Sequence, residues 1–225
     1  MSTLLVAPIV LPEPGANPVS LLLLLAGMSL LPFLLVMATS FTKISVVLSL
    51  TRSALGTQQA PPTMVLTGLA AVLSLVVMGP VAEAMIARVH GERLPTDPGP
   101  EMLRVVQRAA EPLRAFLLEH GSPELRAEFA ALSRELRGGT EVSESDLAVV
   151  APAFVLSELK QAFQIGFLIF LPFLVVDMVV ANVLLALGMQ SLSPSQVSLP
   201  FKVLLFVAVD GWALLARSLV QGYRA

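Results

Sequence analysis

Cysteine is absent from the 225 residues, which removes disulfide frameworks, thiolate metal sites and cysteine nucleophiles together. Charge is scarce: 13% of the residues are charged, where an ordinary soluble domain carries about 25%. Histidine occurs only as His90 and His120, each alone in a polar stretch, and a lone histidine of this kind is far more often solvated than a ligand. Phosphate-cradling glycine loops, HExxH and serine elbows are missing as well. No catalytic, cofactor-binding or metal-binding residue is therefore expected, and the chain reads as a non-enzyme. A net charge of −2 does not suggest a nucleic-acid partner.

What is present is apolar. Hydrophobic residues make up 56% of the chain, and the mean hydropathy is +0.83. A water-soluble fold of this length still exposes roughly a third of its unfolded chain's surface, so the excess must meet lipid or other subunits. Pro14 to Thr42 and Ser53 to Ala82 carry no charge, and each run exceeds the roughly 20 residues that a helix needs to cross a hydrocarbon core. Glu83 to Lys160 holds 9 basic and 13 acidic residues, whereas Gln161 to Arg217 is interrupted only by Asp177, Lys202 and Asp210.

The expected fold is an all-α membrane protein: hydrophobic helical hairpins with kinked helices and a small helical insertion. Residues 1–18 read as a flexible tail, because Met1 to Pro12 lacks the basic residue that opens a secretory signal. Residues 19–82 form a first hydrophobic helical pair, 83–150 a polar helical insertion, and 151–225 a second hydrophobic hairpin. The short loop expected from Lys43 to Ala60 carries Lys43 and Arg52, which favours the cytoplasm for it and the periplasm for the insertion. Arg217 and Arg224 lean the other way if there are four crossings.

Within the insertion, Leu103, Val106, Ala110, Leu113 and Leu117 recur at helical spacing. Ser122-Pro123-Glu124 has the residue types of a helix start. Leu125, Phe129, Leu132 and Leu136 form the next face, and Gly138-Gly139 ends it. Leu-Pro-Phe occurs at Leu31, Leu171 and Leu199; these repeats are either chance or kinks in helices that pack around something other than plain lipid.

Charges at bilayer depth cost at least about 2.5 kcal/mol and normally face protein or water. Asp177 and Asp210, as buried intramembrane charges, and Lys202 between them are either an ion relay or pairs that fix packing; three scattered charges favour packing. Gly188 to Pro194, between two apolar stretches, reads by itself as a plain turn, with Met189 suited to a deformable surface.

The run Pro152-Ala153-Phe154-Val155-Leu156-Ser157-Glu158-Leu159-Lys160-Gln161-Ala162-Phe163-Gln164-Ile165-Gly166-Phe167 resembles the signature of the FliP/SctR family of type III secretion export apparatus. The likeness continues through Leu171 to Asp177, Leu187-Gly188-Met189, Leu199 to Lys202 and Val209 to Trp212. Upstream it includes Ser40 to Ile44 and Pro112 to Phe116. The resemblance implies a ring of about five copies, completed by SctS-type and SctT-type membrane subunits. The helices would be held largely inside a conical assembly in the bacterial inner membrane, much of it raised above the membrane plane. Unfolded polypeptide would pass through the centre, which a methionine-rich gasket seals at rest; by position the gating loop maps to Met189, Gln190 and Ser191, with Leu192 beside them. Relatives commonly have consecutive methionines, and here only Met189 is kept. Glu158 and Lys202 match charged positions of subunit contacts. Phe116 and Phe129 match aromatic positions that support ring assembly, or are simply core residues. The expected function is the export gate of a virulence injectisome, with the flagellar counterpart as the alternative. A small secondary transporter and a passive scaffold are the rivals outside the family.

Overall fold

Ile44, Val47, Leu48, Thr51 and Leu55 recur at intervals of three and four, and a segment with that spacing buries one helical stripe. In the computed structural model this segment is a buried helix, α1 (Phe41–Leu55), not the short loop that Lys43 and Arg52 suggested. The structure describes residues 36–57, 60–90, 100–189 and 191–224, together with Leu22, Leu25, Ala26, Ser29 and Phe33. The expected tail at 1–18 lies outside the described residues, as does most of the first charge-free run. Gly56 closes α1 at φ 78°, a left-handed value that glycine adopts without a side-chain penalty.

The other helices are α2 (Thr63–Val89), α3 (Pro100–His120), α4 (Pro123–Leu136), α5 (Leu147–Ala186), α6 (Pro194–Ala208) and α7 (Gly211–Gln221). No strand occurs among the described residues, and the fold is all-α. Two helices, α2 and α5, are long and apolar enough to cross a membrane, and α6 with α7 makes a third candidate if the bent pair counts as one span. The 59° bend between α6 and α7 falls at Asp210, whose φ of 50° is left-handed, followed by Gly211. Prolines 152 and 172 lie inside α5, and Pro200 lies inside α6. Helix α2 runs unbroken past Ala82 to Val89, so the polar insertion grows directly out of a hydrophobic helix.

Helix α5 is the spine. Near its start, Val150 and Phe154 pack with Phe116 and Leu117 of α3. One step along, Ala162 meets Ile44, Val47 and Leu48 of α1, Leu66 and Ala70 of α2, and Leu219 of α7. Farther on, Phe173 joins Ala54, Leu55, Phe206 and Leu215. Burying each large side chain contributes about 1.5–3 kcal/mol. Gly166 lets α1 approach closely: a Cβ there would sit 2.3 Å from Leu50 Cδ1.

The insertion is helical, with its inward faces shifted from the expected ones. In α3, Leu117 is buried as expected, but Val105 and Phe116 are buried while Val106 is exposed. The reason is that α3 packs on both α2 and α5, which rotates its inner face. The side chain of Leu103 lies outside the described residues. In α4 the buried position is Ala130, whereas Leu132 and Leu136 are exposed. Ser122 caps α4, accepting from Leu125 N–H at 3.3 Å, with Pro123 in the first turn.

Candidate functional site

The hairpin α5–α6 ends in a short tip. Leu184 and Leu185 carbonyls accept from Met189 and Gly188 N–H at 2.9 and 3.0 Å, and Gly188 takes φ 72°, so the long helix stops in a glycine-type cap. Met189, Ser191 and Leu192 are exposed at the tip. Gln190, the remaining residue of the expected gating loop, lies outside the described residues. Pro194 starts α6.

Below the tip an ionic pair crosses the hairpin. Lys202 Nζ lies 2.6 Å from Asp177 Oδ2, with the lysine side chain 6% and the aspartate 35% exposed. Ser198 donates its hydroxyl to the other carboxylate oxygen. Lys202 also reaches the Ala54 carbonyl at 3.5 Å, which ties the hairpin to the end of α1. Ser198 and Lys202 are four residues apart, on one face of α6, and that spacing aims both at Asp177. Asp210, the other acid expected as a buried intramembrane charge, makes no contact with this pair among the described residues. It is exposed in the single chain and sits at the break between α6 and α7.

A second ionic centre joins four parts of the chain. Lys43 Nζ lies 3.1 Å from Glu158 Oε1, with side chains 5% and 0% exposed, and donates to Gln161 Oε1 at 2.9 Å. Tyr223 donates its hydroxyl to Glu158 Oε2. The Lys43 ammonium sits 3.8 Å above the Tyr223 ring, within cation–π range. Tyr223 stacks on His120 at 5.1 Å, and His120 on Phe116 at 4.5 Å. Burial, reinforced by the Glu158 carboxylate, pushes the Tyr223 phenol well above its ordinary value. Beside this centre, Ser157 Oγ accepts from Ser122 N–H at 2.7 Å, pinning the turn between α3 and α4 to α5.

Of the residues singled out in the sequence, Asp177 with Lys202 and Glu158 with Phe116 are brought into shared clusters, while Phe129 packs separately against Ala130, Val142 and Val149. Within one chain Glu158 and Lys202 already have internal partners. Sequence reasoning missed Lys43, Gln161, Ser198 and Tyr223. Gln161 and Glu158 are three apart, and Ser198 and Lys202 four apart; these are detectable spacings. Lys43 and Tyr223 meet Glu158 across 115 and 65 positions, and no local pattern signals that.

A family model described as the FliP family matches residues 24–219. This chain belongs to the FliP family. Among curated FliP-family relatives, the hypersensitivity response secretion protein HrcR of Ralstonia nicotianae is 43% identical over 211 residues, covering 91% of this chain and 97% of the relative. Yop proteins translocation protein R of Yersinia pestis is 43% identical over 210 residues, covering 92% and 97%. Flagellar biosynthetic protein FliP of Pectobacterium carotovorum subsp. carotovorum is 48% identical over 209 residues, covering 91% and 78%. Family membership and the apolar helices α2 and α5 make this a membrane protein of a type III secretion apparatus.

Proposed function

We propose that this chain is a core subunit of the type III secretion export gate, building a ring through whose centre unfolded polypeptide crosses the bacterial inner membrane. The observation that carries this reading is the hairpin. Helix α5 has 40 residues and is about 60 Å long, about twice the hydrocarbon thickness of a bilayer. Yet exposed apolar side chains run along α5 from Leu156 to Leu185, about 44 Å of helix, and Phe163, Phe167, Leu174, Val179, Phe201 and Leu204 on α5 and α6 are all more than half exposed in the single chain. One bilayer cannot cover that length, so protein must cover part of it. A ring of about five copies with SctS-type and SctT-type subunits supplies such a cover.

In this reading the tip residues Met189, Gln190, Ser191 and Leu192 converge to form a hydrophobic, deformable constriction, as gates that close by dewetting do. The Asp177–Lys202 pair stiffens the hairpin that carries the tip. Because Asp177 is engaged by Lys202 and Ser198, it acts as a structural clamp rather than an ion relay. Glu158 and Phe116 influence assembly indirectly, by fixing the shape of the surface that neighbouring copies meet. The insertion lies on the periplasmic side. Virulence and flagellar relatives match at similar identity, and the injectisome and flagellar gates share this mechanism.

The test is the native mass of the chain purified in mild detergent, alone and with its two small hydrophobic partners. A ring-sized species that grows in discrete steps supports the gate. A monomer or dimer indifferent to those partners would falsify it.

A further inference from the structure

Both arms of the α5–α6 hairpin are interrupted at one level. In α5, Pro172 lacks the N–H that would bond to the Leu168 carbonyl, a common cause of bending in a helix. In the other arm the chain breaks between α6 and α7, with a bend of 59°. Asp210 makes that turn at φ 50°, the one positive-φ position among the described residues that glycine does not occupy. An aromatic bridge joins the two breaks. The ring of Phe173, next to Pro172, lies 6.3 Å from that of Phe206, and Phe206 meets Trp212 edge-on at 5.1 Å. The Phe206 ring is so close to Gly211 that a Cβ there would come within 2.3 Å of it. We propose that Pro172 and Asp210 form a paired hinge, on which the outer part of α5 and the whole of α6 swing as one arm.

The chain is held differently on the two sides of this level. On the base side α5 is locked: Glu158 bonds to Lys43 and Tyr223, Ala162 sits among α1, α2 and α7, and Gly166 abuts Leu50. Helix α7 is fixed there by Leu215 and Leu219. On the tip side α5 and α6 are braced to each other. Asp177 receives Lys202 Nζ at 2.6 Å and the Ser198 hydroxyl. Between this braced arm and the base, the one side-chain hydrogen bond among the described residues runs from Lys202 to the Ala54 carbonyl at 3.5 Å, which is long for a strong bond. Phe173 and Phe206 add an apolar hold against Ala54, Leu55 and Leu215. Apolar contacts are non-directional, so they slide without orphaning a partner.

The other two prolines inside these helices are splinted. Pro152 lies between Val150 and Phe154, both fully buried against α3. Pro200 lies between Ser198 and Lys202, and both bond to Asp177, which bridges the weak point from outside. No side-chain bond of this kind spans Pro172 among the described residues. The residue at the second break suits a hinge as well. Aspartate is among the few non-glycine residues that tolerate the left-handed region, and hinges are single positions at element ends that absorb the change in φ and ψ. Over the roughly 22 Å rise of α6, a rotation of about 10° at its foot moves its tip end by about 4 Å. The hinge stands on the single chain; its use in opening the tip rests on the gate reading above.

The chain has no cysteine, so two introduced ones take spin labels cleanly. Gln196→Cys with Ser218→Cys places one label on the exposed first turn of α6 and one on the exposed side of α7. The labelled full chain is purified in mild detergent with an excess of the unlabelled, cysteine-free chain, and pulsed electron resonance gives the distribution of distances. A pair within the base, Ser53→Cys with Ser218→Cys, supplies the width of a rigid body. The tip pair is expected to be clearly broader than the base pair. Pro172→Ala, which restores the missing N–H, should narrow it by about half, although position 172 lies on neither labelled helix. Asp210→Gly should broaden it, P172A/D210G should stay narrow, and Pro152→Ala should leave it unchanged. A thermal midpoint checks folding, and if Pro172→Ala is destabilised, Pro172→Leu carries the same comparison. A tip pair as narrow as the base pair overturns the hinge in favour of a fixed bend. Broadening by Asp210→Gly with no effect of Pro172→Ala overturns the pairing in favour of fraying at α6 alone. The expected distances together with a native mass that ignores the partner subunits would keep the hinge and remove the gate.

Discussion

Glu158 is fully buried and has two partners from opposite ends of the chain, so its removal leaves more than a lost contact. Breaking a buried ion pair by neutralising one member costs about 3–5 kcal/mol, because the other charge stays buried without compensation. Glu158→Gln should lower the thermal midpoint of the purified protein sharply. Lys43→Met combined with Glu158→Leu should recover much of the loss, since neither charge then remains. If the double variant is as unstable as the single one, the pair is not the reason. Tyr223 is the single tyrosine, so its titration can be followed by absorbance alone. Its raised pKa means that the neutral phenol is favoured by folding. The stabilisation is complete below the ordinary tyrosine value of about 10 and is lost as pH rises above it. The native protein should show no phenolate absorbance where free tyrosine ionises, and should show it on unfolding; ordinary ionisation in the folded state would contradict the buried hydroxyl bond to Glu158.

Helix α4 depends on its first turn. The Ser122 hydroxyl, by bonding to Glu124, holds that carboxyl below the ordinary glutamate range. A depressed carboxylate pKa lends stability above the unfolded value and loses it as pH falls through the folded one. The protection of the α4 amides, relative to their intrinsic exchange rate, should fall in acid over that interval, and Ser122→Ala should move the interval up toward the ordinary range. An unchanged Glu124 titration in Ser122→Ala would remove the serine from this role. The same substitution should destabilise the helix by about 1 kcal/mol, the usual loss of an N-cap. Midway along α5, Gly166→Ala forces a methyl group against Leu50. Overpacking of this kind costs about 1–3 kcal/mol, and it should loosen α1 from α5. A midpoint equal to wild type would show that Leu50 yields without cost.

At the scale of the whole molecule, much of the apolar surface of α5 and α6 has no partner in one chain, and the gate reading puts neighbouring copies there. Replacing Met189 with Gly removes one of the two apolar side chains among the four tip residues. In the assembled complex, this should raise the resting ion conductance severalfold, since pores of this type close by excluding water from a hydrophobic ring. Unchanged conductance in planar bilayers would place the seal elsewhere, on Leu192 or on another subunit. Lys202→Met acts on the same tip from a distance: it frees Asp177 and should disturb closure while leaving the tip sequence intact.

The amino-acid sequence by itself determined the class. Long charge-free runs and scarce charge require apolar helices, because a backbone in lipid must satisfy its own hydrogen bonds. The motif from Pro152 to Phe167 was legible as a family signature, and Ser122-Pro123-Glu124 as a helix start, since both are local in the chain. Only the tertiary structure decided which charges meet. Lys43 lay in an expected loop and is instead buried in α1 against Glu158. Asp210 and Asp177 were read together as buried charges; in the single chain Asp210 is exposed at the bend, and the partners of Asp177 are Lys202 and Ser198. Ion pairs depend on distances of a few ångströms between residues far apart in sequence, and helical periodicity carries no information about those distances.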